Sequence, residues 1–183
     1  MTLSKPILKK FGIWCLAIGL FAAHILIRSV AHADAPMPSS AHNCRIMFPS
    51  SPQHVQQSIR LSAEGHTLVY DLYLAPLNNN TLCLLLVATY PSPLTPGNET
   101  AALEALLQGL LNHNPENTLA FANATSHKSH PALDFLIQSS NSYFRAFSVM
   151  VGNKLYLIAM EGHEVAPNEA QFSQFVKTFG LGN

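Results

Sequence analysis

The apolar residues of this chain change their spacing in a definite order. Cys44 to Phe48 alternates in the strand manner and is stopped by Pro49 and Pro52. Val55 to Leu61 reads as a second strand, with Ala63-Glu64-Gly65 as its turn. From His66 to Ala75 the alternation is cleanest: Leu68, Tyr70, Leu72 and Leu74 share one face, and Val69, Asp71 and Tyr73 the other. Asn78, Asn79 and Asn80 form a polar turn, which asparagines tolerate because they enter the left-handed region easily. Leu82 to Tyr90 is apolar almost without interruption, as expected of a central strand covered on both faces.

The period then lengthens. After the breaker cluster of residues 91–97 and Asn98, apolar side chains recur at Leu103, Leu106, Leu107, Leu110 and Leu111, one buried stripe of a helix. His113-Asn114-Pro115 ends it, because proline cannot continue the helical ladder and holds the residue before it out of the helical region. Four strand-like segments follow: Thr118 to Ala124, Ala132 to Gln138, Tyr143 to Val151 and Lys154 to Met160, the last two joined by Gly152-Asn153 as a two-residue hairpin turn. A short C-terminal helix from about Asn168 to Phe179 presents Phe172, Phe175, Val176 and Phe179. Strands, helix, strands, helix is the order of an α+β domain with a mostly antiparallel sheet flanked by helices, not of alternating βαβ units. No repeat at solenoid spacing interrupts it.

Several of these segments carry a family likeness. The strand ending in Met47-Phe48-Pro49, the exit Ala88-Thr89-Tyr90-Pro91, the leucine helix, and the hairpin Val149 to Leu157 followed by Phe175-Val176-Lys177-Thr178-Phe179 resemble the small exported bacterial domains similar to the PsbP-like α/β sandwich. The resemblance spans about Asn43 to Leu181. It implies an antiparallel sheet with flanking helices. It also implies a non-enzymatic accessory role, and it brings no catalytic motif to carry over.

The first thirty-odd residues set the compartment. Lys5, Lys9 and Lys10 precede an apolar run of about 17 residues, Phe11 to Ile27, and Ala31-His32-Ala33 supplies small side chains for a signal peptidase. Residues 1–33 are therefore expected to be a hydrophobic signal helix cleaved after Ala33, residues 34–42 a flexible entry segment rich in Pro and Ser, and residues 43–183 a single domain. The apolar run is also at the short limit of a membrane span, so a retained anchor facing the periplasm is the alternative. Cys15 lies deep in the run without small residues before it, which does not suit a lipid-modified cysteine.

Charge changes the picture once that segment is set aside. The chain has ten basic and ten acidic residues; Lys5, Lys9, Lys10 and Arg28 lie in the leader, which leaves six basic against ten acidic residues. Such a domain lacks the dense basic surface that nucleic acid requires. Cys44 and Cys83 remain as the pair able to close one bridge in an oxidising compartment, over a loop of about 40 residues and with about 4 kcal/mol of stabilisation. The other reading is two small apolar core residues. The sequons at Asn79, Asn98 and Asn123 matter only in a cell that glycosylates them.

Candidate chemistry is sparse. His127 and His130, three apart in a polar loop, could begin a metal site if Asp134 on the next strand reached in, but two imidazoles do not make one, and a polar loop is the plainer reading. No G-x-S-x-G elbow or phosphate-cradling loop is present. Glu161 and Glu164 sit just past an expected strand end, and neither they nor Asp71 and Asp134 have a positional reason to act as an acid/base couple. Arg145, inside a strand, is expected to face solvent, with Asp134 or Asp71 as partner if it is buried. The expectation is a periplasmic or secreted, non-catalytic binding or accessory domain. It would recognise a protein or envelope component, carry no cofactor, and touch the membrane only through an uncleaved leader. The alternative is a small exported hydrolase-type enzyme or ligand carrier whose site is assembled from distant residues around His127, His130 and Asp134.

Overall fold

The computed structural model of the chain describes residues 35–36, 42–61, 66–91, 94 and 97–182; the side chains of 35–36, 59–61 and 66–67 are outside that description. The segment 1–33, its cleavage site after Ala33, and Cys15 lie outside the described residues, as does most of the entry segment 34–42.

The strands are β1 (Ala35–Pro36), β2 (Cys44–Arg45), β3 (Met47–Phe48), β4 (Gln53–Leu61), β5 (His66–Asn78) and β6 (Thr81–Thr89), then helix α1 (Glu99–His113). The second half holds β7 (Thr118–His127), β8 (His130–Gln138), β9 (Ser142–Val151) and β10 (Lys154–His163), helix α2 (Glu169–Lys177) and β11 (Gly180–Leu181). Seven of them form one sheet in the order β4-β5-β6-β10-β9-β8-β7, every neighbouring pair antiparallel. Two meanders, β4-β5-β6 and β7-β8-β9-β10, thus meet along β6 and β10. Helix α1 carries the chain from the end of the first meander to β7 at the far edge.

The alternation read from the sequence decides which side chain meets which layer. Leu68, Tyr70, Leu72 and Leu74 of β5 join Leu84 and Leu86 of β6 under α1, whose Leu103, Leu106 and Leu110 complete that core. Burying each of these leucines contributes about 1.5–3 kcal/mol. Tyr73, Leu85, Val87, Tyr156 and Ile158 point to the opposite face, where α2 packs Phe172 and Phe175. That second face is finished by small ribbons: β1 pairs with β3, and β11 pairs with β2. Cys83, Leu85 and Val87 on one face and Leu84, Leu86 and Ala88 on the other confirm β6 as a strand covered on both sides.

Three boundaries differ from the sequence reading. Order begins before Asn43: Ala35-Pro36 pairs with β3, and His42 is buried, its carbonyl accepting a hydrogen bond from the Tyr156 hydroxyl at 2.7 Å. The polar segment around His127 is not a loop, because β7 and β8 run up to a two-residue turn of Lys128 and Ser129 at φ +48° and +66°. Strand β10 continues past Met160 to His163, pairing with both β6 and β9 through Gly162. Among the described residues no helix is long and apolar enough to cross a membrane.

Candidate functional site

The residues singled out from the sequence are not gathered into a site. His127 and His130 face each other across the hairpin as register partners, but Asp134 lies four residues from His130, about 13 Å along an extended strand. Its carboxylate is engaged by Arg145. The His127 ring packs beside Phe147 and Phe179, with centroids 6.1 and 5.4 Å away, and its Nε2 is buried without a hydrogen-bond partner among the described residues. Burial lowers its pKa, with Lys128 and His130 adding to the effect. Among the described residues no group of three or more His, Cys, Asp or Glu side chains is placed to hold a metal ion. Cys44 and Cys83 share one core cluster as separate buried thiols, so the bridge read from the sequence is not formed. Burial pushes Cys44 up to about 11 and Cys83 up to about 12.

Arg145 is the first polar centre the sequence misplaced. It is buried on the α2 face, its side chain 7% exposed, not turned to solvent. Its Nη1 and Nη2 donate to the Asp134 carboxylate, its Nε donates to Glu169 at 2.9 Å, and Nη1 also reaches the carbonyls of Phe135 and Ala146 at 3.2 and 3.3 Å. The guanidinium lies between the rings of Phe121 and Phe172, 4.8 and 4.2 Å from their centroids. Burial alone would lower its pKa, but the hydrogen bonds and charges of Asp134 and Glu169 outweigh burial and raise it. One cation therefore ties β8, β9 and α2 together, a fork that a lysine could not reproduce.

A second cluster surrounds Asp71, which is only 4% exposed on β5. It accepts hydrogen bonds from His54 Nε2 at 2.7 Å and from the Gln56 side-chain amide at 2.9 Å, and His42 Nε2 stands 3.4 Å from its other oxygen. The register explains it: His54 pairs with Tyr73 and Gln56 with Asp71, so β4 places both donors over the carboxylate. The His54 ring stacks on Tyr73 at 4.5 Å and remains 46% exposed. His42 also meets the Tyr73 hydroxyl at 3.2 Å, and burial lowers its pKa, partly opposed by Asp71. The arrangement holds one solvent-facing imidazole in a fixed orientation, the requirement for moving a proton. Sequence reasoning missed it. The available signal was Asp71 on a strand face shared with Tyr73, opposite a His-x-Gln pair.

The third centre is a cleft of about 340 Å³ where α1 ends above the sheet, lined by Leu110, His113, Ile137, Ser142, Phe144 and Glu161. Asn114, in extended backbone, and Pro115 turn the chain away before the helix covers the end of β10. Glu161 is half-buried there, flanked in the register by Leu82 and Phe144. Burial raises its pKa, with His163 acting in the opposite direction. The Ser139 and Ser142 hydroxyls bond each other at 2.8 Å along the rim.

An antiparallel seven-stranded sheet with α1 on one face and α2 with the terminal ribbons on the other defines a PsbP-like α+β sandwich. No family model matches the chain, and no curated protein matches it in sequence. Among solved structures it is similar to cyanobacterial PsbP (CyanoP) from Synechocystis sp. PCC 6803, with a TM-score of 0.53 and 11% sequence identity, over 87% of this chain and 99% of that one. At that identity the likeness establishes the fold.

Proposed function

We propose that this chain is an exported, non-catalytic binding or accessory domain of a bacterial cell envelope. The observation that carries the reading is the PsbP-like fold, matched over nearly the whole length of the neighbouring structure. The way the domain spends its reactive groups supports it. The guanidinium of Arg145 is engaged by Asp134, Glu169 and two carbonyls, and both thiols are buried and held protonated at neutral pH. These groups hold the domain together. The partner is a protein or an envelope component.

Affinity capture from an envelope extract with the tagged, exported protein tests the proposal. The expected result is a reproducible partner that survives competition by untagged protein. A capture that yields none, together with turnover in a broad hydrolase screen that is lost in His54→Gln, would replace it with the enzyme reading, its centre at Asp71 and His54. Export is tested separately by N-terminal sequencing: a start at Asp34 supports cleavage after Ala33, and an intact N-terminus in the membrane fraction supports the anchor.

A further inference from the structure

We propose that the cleft at the C-terminal end of α1 binds a primary alkylammonium group, with Glu161 as its counter-ion. The proposal goes beyond the accessory role and stands whether or not that role is correct.

Position is the first support. Glu161 has no hydrogen-bond or ion-pair partner among the described residues, and the register explains why. Its direct neighbours are Leu82 and Phe144, the residues two places along those strands are Asn80, Leu84, Ser142 and Ala146, none of them cationic, and His163, two places along β10 itself, offsets the effect of burial only in part. A carboxylate kept half-buried without a partner is costly to the fold, and a cation entering the cleft removes that cost.

The rest of the lining sorts among cations. Leu110, His113 and Asn114 belong to the C-terminal end of α1, the negative pole of its dipole, so helix and carboxylate favour the same sign of charge. Phe144 adds an aromatic ring to the lining, Leu110 and Ile137 offer apolar contact to methylenes, and the Ser142 hydroxyl accepts an N–H. A divalent metal ion would need about six oxygen ligands; one carboxylate with two hydroxyls does not approach that, and of the two amides in the lining Asn114 already accepts from the Glu116 amide and Asn117 donates to the Leu110 carbonyl. One carboxylate, one aromatic ring and an aliphatic wall are complementary to an ammonium on a short alkyl chain. The volume accommodates a ligand of that size.

Such a group could arrive on a free amine or on a lysine side chain, and two probes separate the sources. The full chain, purified from the membrane or periplasmic fraction, is titrated at neutral pH with putrescine and with Nα-acetyl-lysine methylamide, followed by calorimetry and by the NMR shifts of the Ser142 and Phe144 amides. Saturable binding of either probe is expected, weakened at least about tenfold by Glu161→Gln and unchanged by Glu164→Gln, which lies on the exposed turn. Preference for putrescine identifies a small-molecule site, and preference for the lysine derivative a side-chain receptor. Ser142→Ala, which leaves the carboxylate in place, is expected to weaken binding less than Glu161→Gln. The proposal is overturned if neither probe saturates, or if Glu161→Gln and Glu164→Gln bind as the parent does.

Discussion

Removing the guanidinium of Arg145 is the sharpest test of how the second face of the sheet is held. Truncation to alanine deletes the bonds to Asp134, Glu169 and two carbonyls and vacates the gap between Phe121 and Phe172. Breaking a buried ion pair by removing one partner costs about 3–5 kcal/mol where the surviving charge stays buried. Here Asp134 is 29% and Glu169 62% exposed, so water rehydrates both and the cost belongs at the low end, about 3 kcal/mol. In a domain of this size that lowers Tm by about 6–12 °C. The carboxylates are unequal for the same reason. Asp134→Asn should cost about 1–2 kcal/mol, and Glu169→Gln no more than about 0.5 kcal/mol, because an exposed pair is worth little in water. Urea titrations followed by far-UV circular dichroism measure the series, since the only tryptophan is Trp14, far in sequence from the sheet and helices being tested. A double-mutant cycle on Arg145 and Asp134 isolates their coupling. The reasoning is refuted if Glu169→Gln costs as much as Arg145→Ala, or if Arg145→Ala is tolerated within about 0.5 kcal/mol, the range of an ordinary surface change.

Three further outcomes follow from the same geometry. Asn168 caps α2 by accepting from the amides of Ala170 and Gln171 at 2.9 and 3.2 Å, so Asn168→Ala should destabilise by about 1 kcal/mol and Asn168→Asp by much less, read from urea midpoints. His42 and His127 are held below the ordinary 6.5, so the fold binds fewer protons than the unfolded chain; their contribution is complete above that pH and is lost as pH falls through their folded values. Glu161, raised above 4.5, does the reverse: its contribution is complete below 4.5 and is lost as pH rises through its folded value. His127→Leu should therefore flatten the acid limb of stability against pH, and Glu161→Gln should remove the loss above 4.5; an unchanged profile in both contradicts the assignment. Cys44 and Cys83 should resist iodoacetamide in the native protein and both alkylate in denaturant without reductant, as peptide masses report; protection that persists until a reductant is added would mean they are bonded.

The layers were readable in the sequence because burial writes a period. Leu68, Tyr70, Leu72 and Leu74 fall on one face, as do Leu103, Leu106 and Leu110, and each set lies in one core. The turns were less readable. Lys128 and Ser129 occupy left-handed backbone that usually selects Asn or Gly, so the hairpin looked like a polar loop. Gly162 looked to lie just past a strand ending at Met160, yet it is paired on both sides; a Cβ there would lie 2.3 Å from the carbonyl oxygen of Val165, so the returning chain excludes any side chain. Polar centres were the least readable, since they depend on register. Arg145 and Asp134 are diagonal neighbours on β9 and β8, and Glu169 reaches them from a helix 24 residues further on. None of those three separations leaves a local signature.

Asp134 and Glu161 show why residue type alone could not rank the candidate sites. Both are carboxylates on strands of the same sheet. The sequence favoured Asp134 because two histidines stand near it. Register gives Asp134 a diagonal arginine and leaves Glu161 between a leucine and a phenylalanine, so the first is held in an ion pair within the fold and the second has only His163 partly opposing its burial. What covers each carboxylate completes the difference. Helix α2 brings Glu169 and Phe172 onto the Asp134–Arg145 pair, whereas α1 is stopped by Asn114-Pro115 short of the end of β10. The same proline that marks a helix boundary in the sequence thus leaves a carboxylate accessible in the folded domain, and a carboxylate without an ion pair beside open volume is where an outside cation gains most.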